Sequence, residues 1–249
     1  MIGAKSFLAF FCIVPNRGNY RQKGCARHES RENNMRQSKD EKCIEEVIGN
    51  TFKAVQDAFI YQTEKVPDLD NPQRQKLSRI VFPKKRDETT RISEQELRFV
   101  FVEQLNKKII EEDWNVFYSV ETPTLDGYSG FSEGETPRQD DNGRSGEFDL
   151  VIFNEKMQRI ALIEFKANNA SEHDHEKDFV KLNNNKEGND KVLRYFIEMV
   201  KSFDNGTLSS LHGKIERNEP MFRCWSLEKG RDITKEICAA PIKEKPIKQ

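Results

Sequence analysis

Two apolar runs in this 249-residue chain carry the residue types that could do chemistry. Asp149 lies in the run Phe148 to Phe153, and Glu164 and Lys166 lie in the run Ile160 to Ala167. Both runs are rich in Val, Ile, Leu and Phe and flank the polar segment Asn154-Glu155-Lys156-Met157-Gln158-Arg159, the pattern of two strands joined by a short turn. With the turn centred between Lys156 and Met157, Phe153 faces Ile160, Val151 faces Leu162 and Asp149 faces Glu164. Cβ atoms of opposed residues lie roughly 4.5–5.5 Å apart, and period-two alternation adds Lys166 to the same face. Val151, Phe153, Ile160 and Leu162 complete that face; Phe148, Leu150, Ile152, Ala161, Ile163 and Phe165 form the other, so the hairpin is expected to be central. Two carboxylates at the end of a buried hairpin repel and are costly to desolvate unless a cation sits between them. A divalent metal with oxygen ligands meets that need, and Lys166 supplies only part of it. The same spacing also suits a solvated hairpin end at which Glu164 and Lys166 merely pair.

Asp149 followed by Glu164-Phe165-Lys166 on the next strand resembles the active-site signature of the PD-(D/E)XK nuclease superfamily, the restriction-endonuclease-like fold. The resemblance implies a mixed α/β core, αβββαβ, over residues 91–229, behind an N-terminal helical extension. It implies Mg²⁺, with Mn²⁺ as a substitute, held by Asp149, Glu164 and the backbone carbonyl of Phe165. Lys166 would orient or deprotonate the attacking water. The substrate would be nucleic acid, DNA rather than RNA, and a homodimer would suit a duplex cut on both strands. A glutamate of the first helix often serves such a site, which points to Glu94 first and Glu96 second. One departure is plain: Phe148 stands where the signature has proline. The alternative is a module on the same fold that binds nucleic acid or protein without hydrolysis. No nucleophile elbow, Walker loop, HExxH or paired CxxC argues for another chemistry.

These residues need elements to hold them. Ser93-Glu94-Gln95-Glu96 opens a helix with a capping-box pattern, and Leu97, Phe101 and Leu105 form its buried stripe. Trp114 to Val120 has strand composition and is expected to end at Pro123; Leu125 to Gly146, with five glycines, is expected as a long loop, either a clamp or flap over the site or disordered. Ser171 begins a second helix that runs through Asp178 to Leu182. His173 and His175 near its start either position phosphate or water or lie at the surface. The apolar positions Val192, Leu193, Phe196, Ile197, Met199 and Val200 predict a further helix covering the sheet. Met221 to Leu227 is expected as the last core strand, and residues 230–249 as a fraying tail.

Before this core, Ser6 to Val14 is too short to cross a bilayer, which needs roughly twenty apolar residues, and reads as a buried strand. Residues 16–42 are polar and basic and read as a linker or arm; Cys43 to Lys65 is an amphipathic helix that ends near Pro67 and Pro72. A basic strip from Arg74 to Arg91 could contact phosphates. These segments make up residues 1–90. The chain is polar, with 35% hydrophobic and 33% charged residues and a mean hydropathy of −0.82. Its net charge of −1 places any affinity for nucleic acid in charge distribution rather than in the total. Five cysteines without regular spacing point to a reducing compartment, the cytoplasm, and no membrane partner is expected.

Overall fold

The computed structural model describes residues 20–63, 79–168, 170–215 and 220–240. The chain divides into two units, residues 1–39 and 40–249. Within the first, residues 20–39 are helical; the sheet and the site belong to the second. The apolar run Ser6 to Val14 and the turn at Pro67 and Pro72 lie outside the described residues.

The elements run α1 (Tyr20–Thr63), α2 (Glu94–Glu111), β1 (Val116–Ser129), β2 (Arg138–Gln139), β3 (Arg144–Asn154), β4 (Arg159–Ala167), α3 (Glu172–Leu182), β5 (Leu193–Val200), α4 (Asn205–Ile215), β6 (Met221–Ser226), β7 (Arg231–Asp232) and α5 (Thr234–Ala239). A 3₁₀ turn, Asn185–Glu187, leads from α3 towards β5. One mixed sheet of seven strands has the order β2-β1-β3-β4-β5-β6-β7. It is antiparallel as far as β4, parallel through β5 and β6, and antiparallel again at β7.

Helices cover both faces of this sheet. Val47, Phe52 and Val55 of α1 and Leu97, Phe101 and Leu105 of α2 pack on Leu150, Ile152, Ile163, Phe165 and Ile197. On the other face Phe179 and Leu182 of α3, Leu208 and Leu211 of α4 and Ile237 of α5 pack on Val151, Leu162, Phe196 and Phe222. β4 is buried at five successive residues, Ala161 to Phe165, as a strand covered on both sides must be. Each such Leu, Ile or Phe contributes about 1.5–3 kcal/mol by leaving water, and Phe165 also meets Phe101 edge to face at 5.2 Å. Among the described residues no helix is long and apolar enough to cross a membrane.

Several expectations are corrected. Leu193 to Val200 forms the interior strand β5, not a helix: Tyr195 and Ile197 face one core and Phe196 and Val200 the other. A strand buried on both faces is apolar throughout and imitates a wide helical stripe. Residues 20–42, expected as an arm, belong to α1. The stretch from Leu125 is not an irregular loop, because β1 continues through Pro123 to Ser129 and returns by β2. Pro123 is tolerated because β2 pairs only with Tyr128 and Ser129, which leaves β1 an edge strand at the proline, beside a register shift. Gly143 allows the close return: a Cβ there would lie 2.3 Å from the Tyr128 carbonyl oxygen. The expected tail also orders, since Ile233 and Ile237 are buried; residues 241–249 are outside the described set.

Candidate active site

The hairpin of β3 and β4 closes on Asn154, whose Oδ1 accepts from the N–H groups of Lys156 (2.9 Å) and Gln158 (3.0 Å). Met157 takes φ 57° at the tip. Val151 pairs with Leu162 as expected, but Phe153 pairs with Arg159 across a register shift, not with Ile160. Ile160 is the extra residue of that bulge and packs on the α1–α2 side. Regular β3–β4 pairing ends at Leu150 and Ile163. Beyond it the Asp149 side chain takes over: its Oδ2 accepts the Phe165 N–H at 2.7 Å. Phe148, still paired with Thr122 of β1, packs on the α3 face rather than beside Leu150. Because the N–H and C=O of a strand residue point to the same side, the Phe165 carbonyl is directed towards β3 as well.

Two helices bring their charges to this end of the sheet. At the start of α2, Glu96 is committed to the cap: its Oε2 accepts from the Ser93 N–H at 3.0 Å, and its carboxylate also meets the Arg91 guanidinium. Glu94 is therefore the glutamate that faces the hairpin, with Oε2 3.6 Å from Lys166 Nζ. One turn on, Arg98 approaches Asp149 Oδ1 at 3.5 Å and Glu121 at 3.2 Å. From α3, Asp178 Oδ2 lies 2.6 Å from Lys166 Nζ. Lys181 Nζ lies 2.5 Å from Glu164 Oε1 and 2.9 Å from Asp178 Oδ1, and donates to the Glu147 carbonyl at 2.7 Å. The contacts at Glu164 Oε1 and Asp178 Oδ2 are close ion pairs rather than hydrogen bonds. Asp149, Glu164, Lys166 and Glu94 thus meet in one charged network with Arg98, Asp178 and Lys181.

The environment sorts these charges. Burial pushes the Glu164 carboxyl well above the usual range, and the neighbouring Asp178 and Asp149 carboxylates add to this against the pull of Lys181. Glu94 is raised by burial too, with Lys166 opposing. For Asp178 burial acts upward, yet the Lys181 and Lys166 ammoniums overcome it and hold the carboxyl below its ordinary value. Burial works against the charged forms of Lys166 and Lys181, but their carboxylate neighbours prevail and both are held above the ordinary lysine value. Lys166 is therefore an ammonium at neutral pH.

Asp178, Lys181 and Arg98 were not singled out by the sequence reasoning. A signal for the first two exists: the buried stripe of α3, which includes His175, Phe179 and Leu182, also takes in Asp178 and Lys181. Charged residues on the packed side of a helix need partners. His175, one of the two histidines considered, is buried rather than at the surface. Its Nδ1 lies 3.0 Å from the Ser171 carbonyl and its Nε2 3.1 Å from Glu198 of β5, which ties α3 to the sheet.

The donors suit a hard cation. Among the described residues no three carboxylate, imidazole or thiolate side chains converge closely enough to hold a metal ion by themselves. Mg²⁺, however, takes one or two carboxylates and completes its shell with waters and substrate phosphates. Asp149, Glu164 and the Phe165 carbonyl are oxygen donors of that kind. No protein-family model, no curated protein and no solved structure matches the chain.

Proposed function

We propose that the chain is a Mg²⁺-dependent nuclease that hydrolyses phosphodiester bonds, with DNA as the polymer. The observation that carries this reading is the meeting of Asp149, Glu164, Lys166 and Glu94 at one end of the sheet. The order α2-β1-β3-β4-α3-β5, with the two-residue β2 set aside as an excursion from β1, supports it, since it repeats the αβββαβ core that the signature implies. Asp149, Glu164 and the Phe165 carbonyl would hold the ion. When bound, Mg²⁺ lowers the pKa of a coordinated water and offsets the charge that develops on the scissile phosphate.

The chain's own residues do the rest. Lys166, kept as an ammonium by Asp178 and Glu94, donates to the attacking water or to a phosphate oxygen and does not remove a proton. Asp178 fixes the lysine's direction from the α3 side, and Glu94 does so from α2. Arg98 orients Asp149 opposite the bond from Phe165. The exposed residues Lys85 and Arg86 before α2 offer contacts to the phosphate backbone, which fix register without reading sequence. A second copy of the chain would supply the second cut in a duplex. Cys43, Cys224 and Cys238 form no disulfide, which suits the cytoplasm.

A second reading, a nucleic-acid-binding module without hydrolysis, is favoured by one observation. Arg98 on Asp149 and Lys181 on Glu164 already neutralise the two carboxylates that would hold the ion. Incubation of the purified protein and of Lys166→Ala with single- and double-stranded DNA and RNA, with Mg²⁺, Mn²⁺ or chelator, separates the two. Metal-dependent cutting lost in the variant is expected. Binding without cutting under every condition would move the assignment to the second reading.

A further inference from the structure

Lys181 has no part in the chemistry proposed above, yet it is closely surrounded by oxygen. An ammonium has three donors, and this one meets three oxygens: Glu164 Oε1 at 2.5 Å, the Glu147 carbonyl at 2.7 Å and Asp178 Oδ1 at 2.9 Å. Two carboxylates and a backbone carbonyl are also the surroundings of a small hard cation. The side chain is 7% exposed, and Nζ lies 5.7 Å from the centre of the Phe148 ring. Gly146 leaves room for the stem, since a Cβ there would lie 3.2 Å from Lys181 Cδ. Three successive residues of β3 thus accommodate this lysine: Gly146 with space, Glu147 with a carbonyl and Phe148 with a ring face.

We propose that Lys181 is a built-in counter-cation that keeps the site closed, and that a divalent ion reaches Glu164 only by displacing the Lys181 ammonium from it. The proposal rests on the reading of Glu164 as a metal ligand and adds a regulatory step to that site. Two cations on one buried carboxylate repel each other strongly at low local dielectric, so they exclude one another. The displaced ammonium has a place to go: Asp178 continues to hold it at Oδ1 while the flexible four-carbon stem swings away from Glu164. The site therefore has two states, lysine-closed and metal-open. The resting protein pairs its own charges, and metal occupancy requires that pairing to be exchanged.

The test uses the full chain without nucleic acid. Mn²⁺ binding is followed by the paramagnetic resonance of the free ion for the parent and for Lys181→Met, whose unbranched stem keeps the contact with Phe148. Because one opposite charge at this range shifts a carboxylate's proton affinity by about 1–3 powers of ten, the variant should bind Mn²⁺ at least about tenfold tighter. Equal or weaker affinity overturns the proposal, as does an absence of binding in both proteins. A second measurement needs no substitution. Held by the Glu147 carbonyl and by ion pairs to Glu164 and Asp178, the Lys181 ammonium should give a slowly exchanging nitrogen-15 resonance in the parent, and saturating Mg²⁺ should release it to fast exchange. A resonance unchanged at saturation overturns the proposal. Cutting is judged separately: metal affinity that changes as stated in a protein that never cuts refutes the nuclease reading alone, whereas cutting with equal affinities refutes the lysine gate alone.

Discussion

Glu164→Gln should leave the protein at least as stable as the parent at pH 7.5, and by the charge balance of the site more stable. Glu164 is 2% exposed, and its carboxyl is raised by burial first, with Asp178 and Asp149 adding to the cost and Lys181 returning part of it. A net upward displacement means that the folded state favours the proton. Each unit of such displacement corresponds to about 1.4 kcal/mol, so removing the charge is expected to gain stability rather than lose it. The amide keeps the side chain's shape, and Lys181 retains Asp178 and the Glu147 carbonyl. The sign of the pH dependence is set by the same displacement. Above the raised folded pKa the parent carries the full cost of the ionised carboxylate. As pH falls through that value towards the unfolded value, near 4.3, the folded protein takes up the proton and the cost disappears. The advantage of the variant should therefore be greatest at neutral pH and should shrink towards pH 4. Urea unfolding of both proteins between pH 4 and 8 measures it, read as a change of midpoint at constant slope. A variant less stable than the parent by about 1 kcal/mol or more at pH 7.5 would refute the reasoning, because the Glu164–Lys181 contact would then outweigh desolvation.

Asp178→Asn should act in the opposite direction. Removing a buried partner typically costs about 3–5 kcal/mol, and here about 2–3, since Lys166 keeps Glu94 and Lys181 keeps Glu164. Asp178 is held below its ordinary value, so its contribution is complete above about pH 4, the unfolded value, and is lost as pH falls through the lowered folded value; unfolding curves of the two proteins should converge in acid. Glu187→Ala should destabilise by about 3–5 kcal/mol, measured by thermal unfolding. This fully buried carboxylate accepts from the Leu125 and Asp126 N–H groups, the Tyr128 hydroxyl and Arg159, and its loss should expose the β1–β2 excursion to protease first. Lys85→Ala with Arg86→Ala should weaken DNA binding about equally for all sequences and reduce the slope of log affinity against log salt by about 1–2; an unchanged slope would remove this segment from the interface.

How much of the fold and site was legible in the sequence depended on which physical signal each segment carries. The hairpin could be read because alternation places Asp149, Glu164 and Lys166 on one side whatever the turn does, provided the register is right at Val151 and Leu162, as it is. The bulge at Ile160 and the turn of Phe148 towards α3 depend on hydrogen bonds from Asn154 and Asp149 side chains, which no hydrophobic pattern records. β5 was misread because an apolar run buried on both faces carries no period. Residues 20–42 were misread for a different reason: little apolar content argues against a packed helix, but Arg, Gln, Lys and Glu are good helix formers and no proline interrupts the run. Glycines between Leu125 and Gly146 suggested a loose loop, whereas Gly143 and Gly127 serve close backbone approach inside a β excursion. Arg98, Asp178 and Lys181 escaped notice because ordinary surface helices carry such residues everywhere. Only knowledge of which helix faces cover the end of the sheet separates these from the solvated ones.

The charge inventory bears on why the proposed reaction would need a metal ion at all. Glu94, Asp149, Glu164 and Asp178 are opposed by Arg98, Lys166 and Lys181, four carboxylates against three cations, with the exposed Glu121 also drawing on Arg98. Fully ionised, the cluster keeps one negative charge, and a phosphodiester brings another. Like charges at contact distance in a partly desolvated site repel by several kcal/mol, so the cluster as it stands resists the group it would cut. Lys166 alone does not reverse this, because its charge is already shared between Asp178 and Glu94. A divalent ion seated against Asp149 and Glu164 changes the sign of the cluster and makes the phosphate welcome. On the proposed reading, metal entry, release of Lys181 and substrate affinity are therefore linked: the ion that supplies the chemistry also makes the site attractive to its substrate, and the internal lysine keeps the carboxylates paired until that ion arrives.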